Sequence, residues 1–137
     1  MTKALICGGR NVGRTDPRVA GSQAGLELRK ASAERMFVSK KMDELHQAKN
    51  FTLIIAGNEG GAERLGAQWG AANKVAVQLF ERKKSSRESV MQRNTRMLDE
   101  AAPELVIAFG GGESTQALLV EANRRGVAVL EFALPKD

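Results

Sequence analysis

Residues 52–80 read T-L-I-I-A-G-N-E-G-G-A-E-R-L-G-A-Q-W-G-A-A-N-K-V-A-V-Q-L-F. Leu53-Ile54-Ile55-Ala56 is a continuous apolar run with no polar alternation, which is how a strand buried on both faces reads, and such strands belong to parallel sheets. Gly57, Gly60 and Gly61 follow it directly. Ala62, Leu65, Trp69 and Ala72 then recur at helical spacing and predict a helix with one apolar face. A second apolar run, Val75 to Phe80, closes a strand–turn–helix–strand unit whose crossover is expected to be right-handed.

The same arrangement repeats outward. Ala4-Leu5-Ile6-Cys7 precedes Gly8, Gly9 and Gly13, and Leu105 to Phe109 precedes Gly110, Gly111 and Gly112. Val127-Ala128-Val129-Leu130 supplies a last strand. Val38, Met42 and Leu45 mark a helix around residues 33–49. Ser85-Ser86-Arg87-Glu88 has the form of a capping box with Ser85 as N-cap. It would open a helix whose face holds Val90, Asn94, Met97, Leu98 and Ala101, and which Pro103 stops. Thr115, Leu118, Leu119 and Ala122 form another face, with Arg124 and Arg125 suited to its C-terminal end and Gly126 to its cap. The alternation predicts an α/β protein: a Rossmann-like, doubly wound, mainly parallel five-stranded sheet with helices on both faces, in one domain over residues 1–137. The first unit is longer than the others. Its excess, residues 10–32, reads as a surface insertion or as a lid over a site.

Composition bounds the function. The chain has 137 residues, 42% of them hydrophobic, enough for a core. One cysteine, Cys7, excludes a disulfide framework, and with one histidine, His46, no metal site is expected. No apolar run approaches ~18 residues, so no membrane span is expected. The N-terminus lacks the pattern of a signal peptide, and a cytoplasmic protein follows as the default. The formal charge of +5 suits an anionic partner, either a phosphate ligand or nucleic acid. Aromatics at 4% argue against a base-stacking platform for single strands.

All three glycine clusters fall where strands of a parallel sheet end and helices begin. Ligands bind at that edge, and free N–H groups there attract anions. Tight turns alone account for one such cluster; three on one edge point to a nucleotide or phosphorylated ligand. Ser114 and Thr115 add hydroxyls that cap a helix or bond phosphate oxygens. G-x-x-x-x-G-K-[ST] is absent, which disfavours a P-loop NTPase. Residues 8–13 (GGRNVG) do not match G-x-G-x-x-G, and no acidic residue ends the second strand, which disfavours a standard NAD dehydrogenase.

Gly8-Gly9-Arg10, the stretch Gly57 to Leu65 (GNEGGAERL), Arg93-Asn94-x-x-Met97 and Gly111-Gly112-x-Ser114-Thr115 together resemble the SLOG superfamily, named for Smf and Lonely Guy proteins. The most similar branch is the small YspA-like, cpYpsA-related group of bacterial and phage proteins. The resemblance covers nearly the whole chain except residues 10–32. It implies a Rossmann-like fold that binds a nucleotide or nucleotide-derived ligand, and a homodimer. The chain departs from the branch after the second strand. Asn58 stands in place of a glycine, Gly60 in place of an arginine and Glu63 in place of an aspartate. Glu81 to Ser86 replaces an aromatic, glycine-rich stretch. Against the Lonely Guy phosphoribohydrolases, Ala117 and Leu118 fall where two acids would stand, so the glutamate linked to N-glycosidic cleavage is missing from its place.

The candidate ligand-binding residues are Gly8, Gly9, Arg10, Gly57, Asn58, Gly60, Gly61, Glu63, Arg93, Asn94, Gly110, Gly111, Gly112, Ser114 and Thr115. Arg10 reads as a phosphate or ribose clamp or as a solvated loop arginine. Arg93 reads as a ligand contact or a surface arginine. Asn94, an amide on an apolar stripe, ties loops together or touches ligand. Glu63 holds ribose or complements its helix dipole. Cys7 is expected as a small buried hydrophobe, Trp69 as core and His46 as a surface residue. Arg82, Lys83, Lys84 and Arg87 form a basic run, either a solvated helix entry or a phosphate or nucleic-acid rim. Three functions follow. The first is nucleotide binding by a sensor or accessory protein that requires no cofactor. The second is cleavage of a nucleotide N-glycosidic bond with Glu59, Glu63 or Glu113 as acid/base. The third is DNA binding through the basic run, as in the Smf-related proteins.

Overall fold

Successive side chains of a strand point to opposite faces, and the central strand β1 (Thr2–Gly8) uses both. Ala4 and Ile6 enter one apolar layer and Leu5 and Cys7 the other. The computed structural model describes residues 1–135. After β1 come α1 (Ser22–Lys49), β2 (Phe51–Gly57), α2 (Ala62–Ala72) and β3 (Ala76–Phe80). A short 3-10 turn at Lys84–Ser86 leads to α3 (Val90–Ala101), β4 (Leu105–Phe109), α4 (Glu113–Arg124) and β5 (Ala128–Phe132).

The five strands form one all-parallel sheet in the order β3-β2-β1-β4-β5. α1 and α2 cover one face, with Val38, Met42 and Trp69 packed over Ile6, Ile54 and Ile107. α3 and α4 cover the other, with Met97, Leu98, Leu118 and Leu119 over Leu5, Ile55 and Val106. The chain is therefore the doubly wound α/β fold its apolar runs predict. Trp69 is core as expected, with its Nε1 donating to Asp43. No helix among the described residues is long and apolar enough to cross a membrane.

Three local expectations need correction. The excess at 10–32 is not one irregular insertion. Residues from Ser22 onward belong to α1, and the irregular connection shrinks to residues 9–21. Ala24, Leu26, Glu27, Leu28, Arg29, Lys30 and Ala31 are good helix formers, and with no proline between Pro17 and Lys49 they extend the helix through Gly25. The capping box is Ser89 with Gln92, four residues past the expected one: Ser89 Oγ accepts from Gln92 N at 3.0 Å and Gln92 Oε1 from Ser89 N at 2.8 Å. Arg87 adopts a left-handed conformation that keeps Ser85 out of α3, and Glu88 accepts from Lys83 N and pairs with Arg96 instead. His46 is not a free surface residue. Its Nδ1 accepts from Phe51 N at 3.0 Å, and its ring packs on Phe51 and Trp69.

Candidate functional site

The order β3-β2-β1-β4-β5 puts the topological switch point between β1 and β4. Connections leave these neighbours towards opposite faces and open a crevice beyond their carboxyl ends. A cleft of about 190 Å³ lies there. Cys7, Gly8, Gly9 and Arg10 line it from the end of β1. Glu59, Gly60 and Glu63 line it from the β2–α2 turn, Val90, Arg93 and Asn94 from α3, and Gly112 to Thr115 from α4. The sequence did not single out Val90 as a lining residue, nor Cys7; their adjacency to Arg93 and Gly8 was the available signal.

Five of the expected site residues do not line the cleft, and close packing explains most of them. Gly61 lies under the first loop. A Cβ there would stand 2.2 Å from Gly9 O, and Ala62 N donates to that same carbonyl at 3.0 Å. Gly57 lies under a side chain: a Cβ there would meet Arg93 Nη1 at 1.8 Å. Asn58 is exposed and donates to Glu81 at 3.0 Å. Gly110 donates its N–H to Phe132 O, and Gly111 packs on Thr115. Much of the glycine content thus serves to bring the three turns together.

The floor is an ion pair. Arg93, 1% exposed, donates from Nη2 to Glu63 Oε2 at 2.8 Å. Its Nε donates to Asn94 Oδ1 at 3.1 Å and its Nη1 to Phe80 O at 3.4 Å. Glu63 Oε1 accepts from Glu59 N at 3.0 Å. Neither charge is left for a ligand. The pair braces α2, α3 and the end of β3, and a buried pair of this kind is costly to break because one charge is left alone.

Asn94 is different. It is 6% exposed, and its Oδ1 faces a guanidinium that can only donate, which fixes the orientation of the amide. The NH2 group therefore points away from Arg93, and it takes no partner among the described residues. The start of α4 is open as well. Gly112 is its N-cap and no side chain caps it, so the first-turn N–H groups of Glu113, Ser114 and Thr115 border the cleft. The helix starts of α2 and α3 are better closed, by Gly9 O and by the Ser89–Gln92 box. Thr115 Oγ1 donates to Gly8 O at 3.4 Å, and Arg10 is exposed at the rim.

Of the three carboxylates considered as acid/base, Glu63 is held by Arg93 and Glu59 by Arg82. Glu113 has no partner among the described residues and lies exposed at the mouth. Cys7 is no nucleophile. Burial first, then the nearby Glu63 and Glu131 carboxylates, push its thiol up to about 12, and Sγ lies 3.6 Å from Ile107 O. Of the basic run, Arg82 pairs with Glu59, while Lys83, Lys84 and Arg87 are exposed. No group of three His, Cys, Asp or Glu side chains among the described residues could hold a metal ion. No family model, curated protein or solved structure matches this chain.

Proposed function

We propose that this protein binds a nucleotide or nucleotide-derived anion in the cleft at the switch point, as a sensor or accessory protein. The observation that carries this is that Asn94, whose NH2 has no partner among the described residues, and the uncapped first turn of α4 line one small cavity. A phosphate offers acceptors to both and meets the positive end of the helix dipole. In this reading Ser114 and Thr115 hold the anion, Arg10 approaches from the rim, and Arg93 with Glu63 keeps the frame. The resemblance to the SLOG superfamily favours the same loops, and a homodimer remains part of the proposal. Calorimetric titration with inorganic phosphate and the four nucleoside monophosphates tests it. Binding should be lost in Asn94→Asp, which replaces the donors by a charge while keeping the acceptor for Arg93; unchanged binding refutes it.

A second reading, cleavage of a nucleotide N-glycosidic bond, is favoured by Glu113 alone, since it is the one candidate carboxylate with no partner among the described residues. Release of free base that Glu113→Gln abolishes would support it.

A further inference from the structure

The cleft at the switch point, about 190 Å³, is smaller than the roughly 300–1,000 Å³ of most small-molecule pockets, so a nucleotide seated there by its phosphate would extend beyond it. Across the β1–α1 connection lies a larger cavity of about 510 Å³. Asn11, Val12 and Arg14 to Arg18 form one wall, Glu27, Lys30 and Glu34 of α1 a second, and Leu134 a third. α1 spans 28 residues, or ~42 Å at the usual rise. Its end joins the start of β1 through Thr2 and Asn50, so its first three turns run past the carboxyl edge of the sheet and wall this cavity.

Glu34 is the group that gives the cavity a chemistry. Its spacing from Ala31, Val38 and Met42 puts it on the buried face of α1, where it is 5% exposed. One oxygen accepts from Gly13 N at 2.9 Å. The other takes no hydrogen bond among the described residues, and because every buried side-chain oxygen among them has a partner, this one is open to the cavity. The ionisable residues around it balance: Arg14, Arg18 and Lys30 against Asp16, Glu27 and Glu34, with Arg18 already paired to Asp16. A cavity of net zero charge with one open carboxylate oxygen suits a neutral donor, not a phosphate. Arg14 connects the two spaces. It lines the larger cavity, and its Nη1 lies 3.1 Å from where a Cβ on Gly60 would stand, while Gly60 lines the cleft.

We infer that the larger cavity receives the nucleoside part of the ligand, with the second Glu34 oxygen accepting from a ribose hydroxyl or a base N–H, while the phosphate sits at the start of α4. This rests on the reading of the cleft as an anion site. It assigns the residues between β1 and the middle of α1 to ligand recognition.

Saturation-transfer NMR with adenosine, guanosine, cytidine and uridine, and separately titration with inorganic phosphate, test it on the wild type, Glu34→Gln and Asn94→Asp. The glutamine keeps an oxygen for Gly13 N and turns the free acceptor into a donor. At least one nucleoside should bind the wild type, lose tenfold or more in Glu34→Gln and bind Asn94→Asp nearly as before. Phosphate should show the reverse pattern. If no nucleoside binds, or if Glu34→Gln leaves nucleoside affinity within twofold, the inference is overturned, whatever phosphate does. If nucleoside binding is lost in Glu34→Gln but phosphate does not bind, the cavity assignment holds and the anion cleft falls.

Discussion

Gly112→Asp separates the fold from the ligand. Gly112 has φ −110° and ψ −143°, and a Cβ there meets nothing within 4 Å, so a side chain enters without strain. The residue is the N-cap of α4, a position where aspartate is among the best residues and gains a few tenths of a kcal/mol over glycine. The new carboxylate accepts from the N–H of Ser114 or Thr115, the donors the anion would use. It also sets like charges side by side: at ~4 Å with an effective dielectric constant of about 20, one unit pair costs about 4 kcal/mol. That corresponds to roughly a thousandfold in affinity. Thermal unfolding should show a melting temperature equal to or slightly above the wild type, while calorimetry with inorganic phosphate or nucleoside monophosphates shows binding abolished. Gly112→Ala, which adds bulk without charge, should stay within a few-fold of the wild type. A folded Gly112→Asp protein that binds phosphate within threefold of the wild type refutes the argument that α4 holds the anion.

Further outcomes follow from the packing. Gly57→Ala puts a methyl into Arg93 and breaks the buried pair with Glu63, a loss of about 3–5 kcal/mol. Calorimetric unfolding should show the melting temperature down by roughly 10–20 °C; a shift of a few degrees would mean that the pair relocates without cost. His46→Ala leaves Phe51 N without its acceptor and opens the packing against Trp69, so urea unfolding should show a loss of about 1–3 kcal/mol. Glu88 and Glu121 are each held down to about 2, by hydrogen bonds from Arg96 and Lys83 and from Arg124 and Arg125. A lowered folded-state pKa contributes stability that is complete above the ordinary carboxylate range and lost as pH falls towards 2. The urea midpoint should therefore fall between pH 5 and pH 2, and less steeply in Glu88→Gln; an identical pH profile in that variant would show the Glu88–Arg96 pair to be irrelevant.

The strands and the carboxyl edge of the sheet were legible because continuous apolar runs ending in glycine have few other physical meanings; the strand order, and with it the switch point, came from the structure. Ile54 to Ala56 and Leu105 to Phe109 are buried as that pattern requires, with Leu53 half-buried. Even the irregular first unit was visible, but its nature was not. Gly21 and Gly25 mask a run of good helix formers between Ala24 and Ala31, and the packing of Ala31, Glu34 and Val38 fixes that run as the start of α1. The capping box was displaced because S-x-x-E and S-x-x-Q occur four residues apart, and the left-handed Arg87 decides between them. For the site, the sequence named most of the cleft's lining. It did not reveal that Arg93 and Glu63 satisfy each other, because their pairing across two helices depends on the absence of a side chain at Gly57. Glu34 has a legible signal of its own: an acid in register with Ala31, Val38 and Met42 lies on the buried face of its helix.

The most direct test of the anion site is a two-dimensional NMR titration of the 15N-labelled wild type with inorganic phosphate. Saturable shifts of the Glu113, Ser114 and Thr115 amides together with the Asn94 side-chain NH2 are predicted. Shifts confined to the exposed lysines and arginines, or none at these four groups at saturating phosphate, would contradict the account.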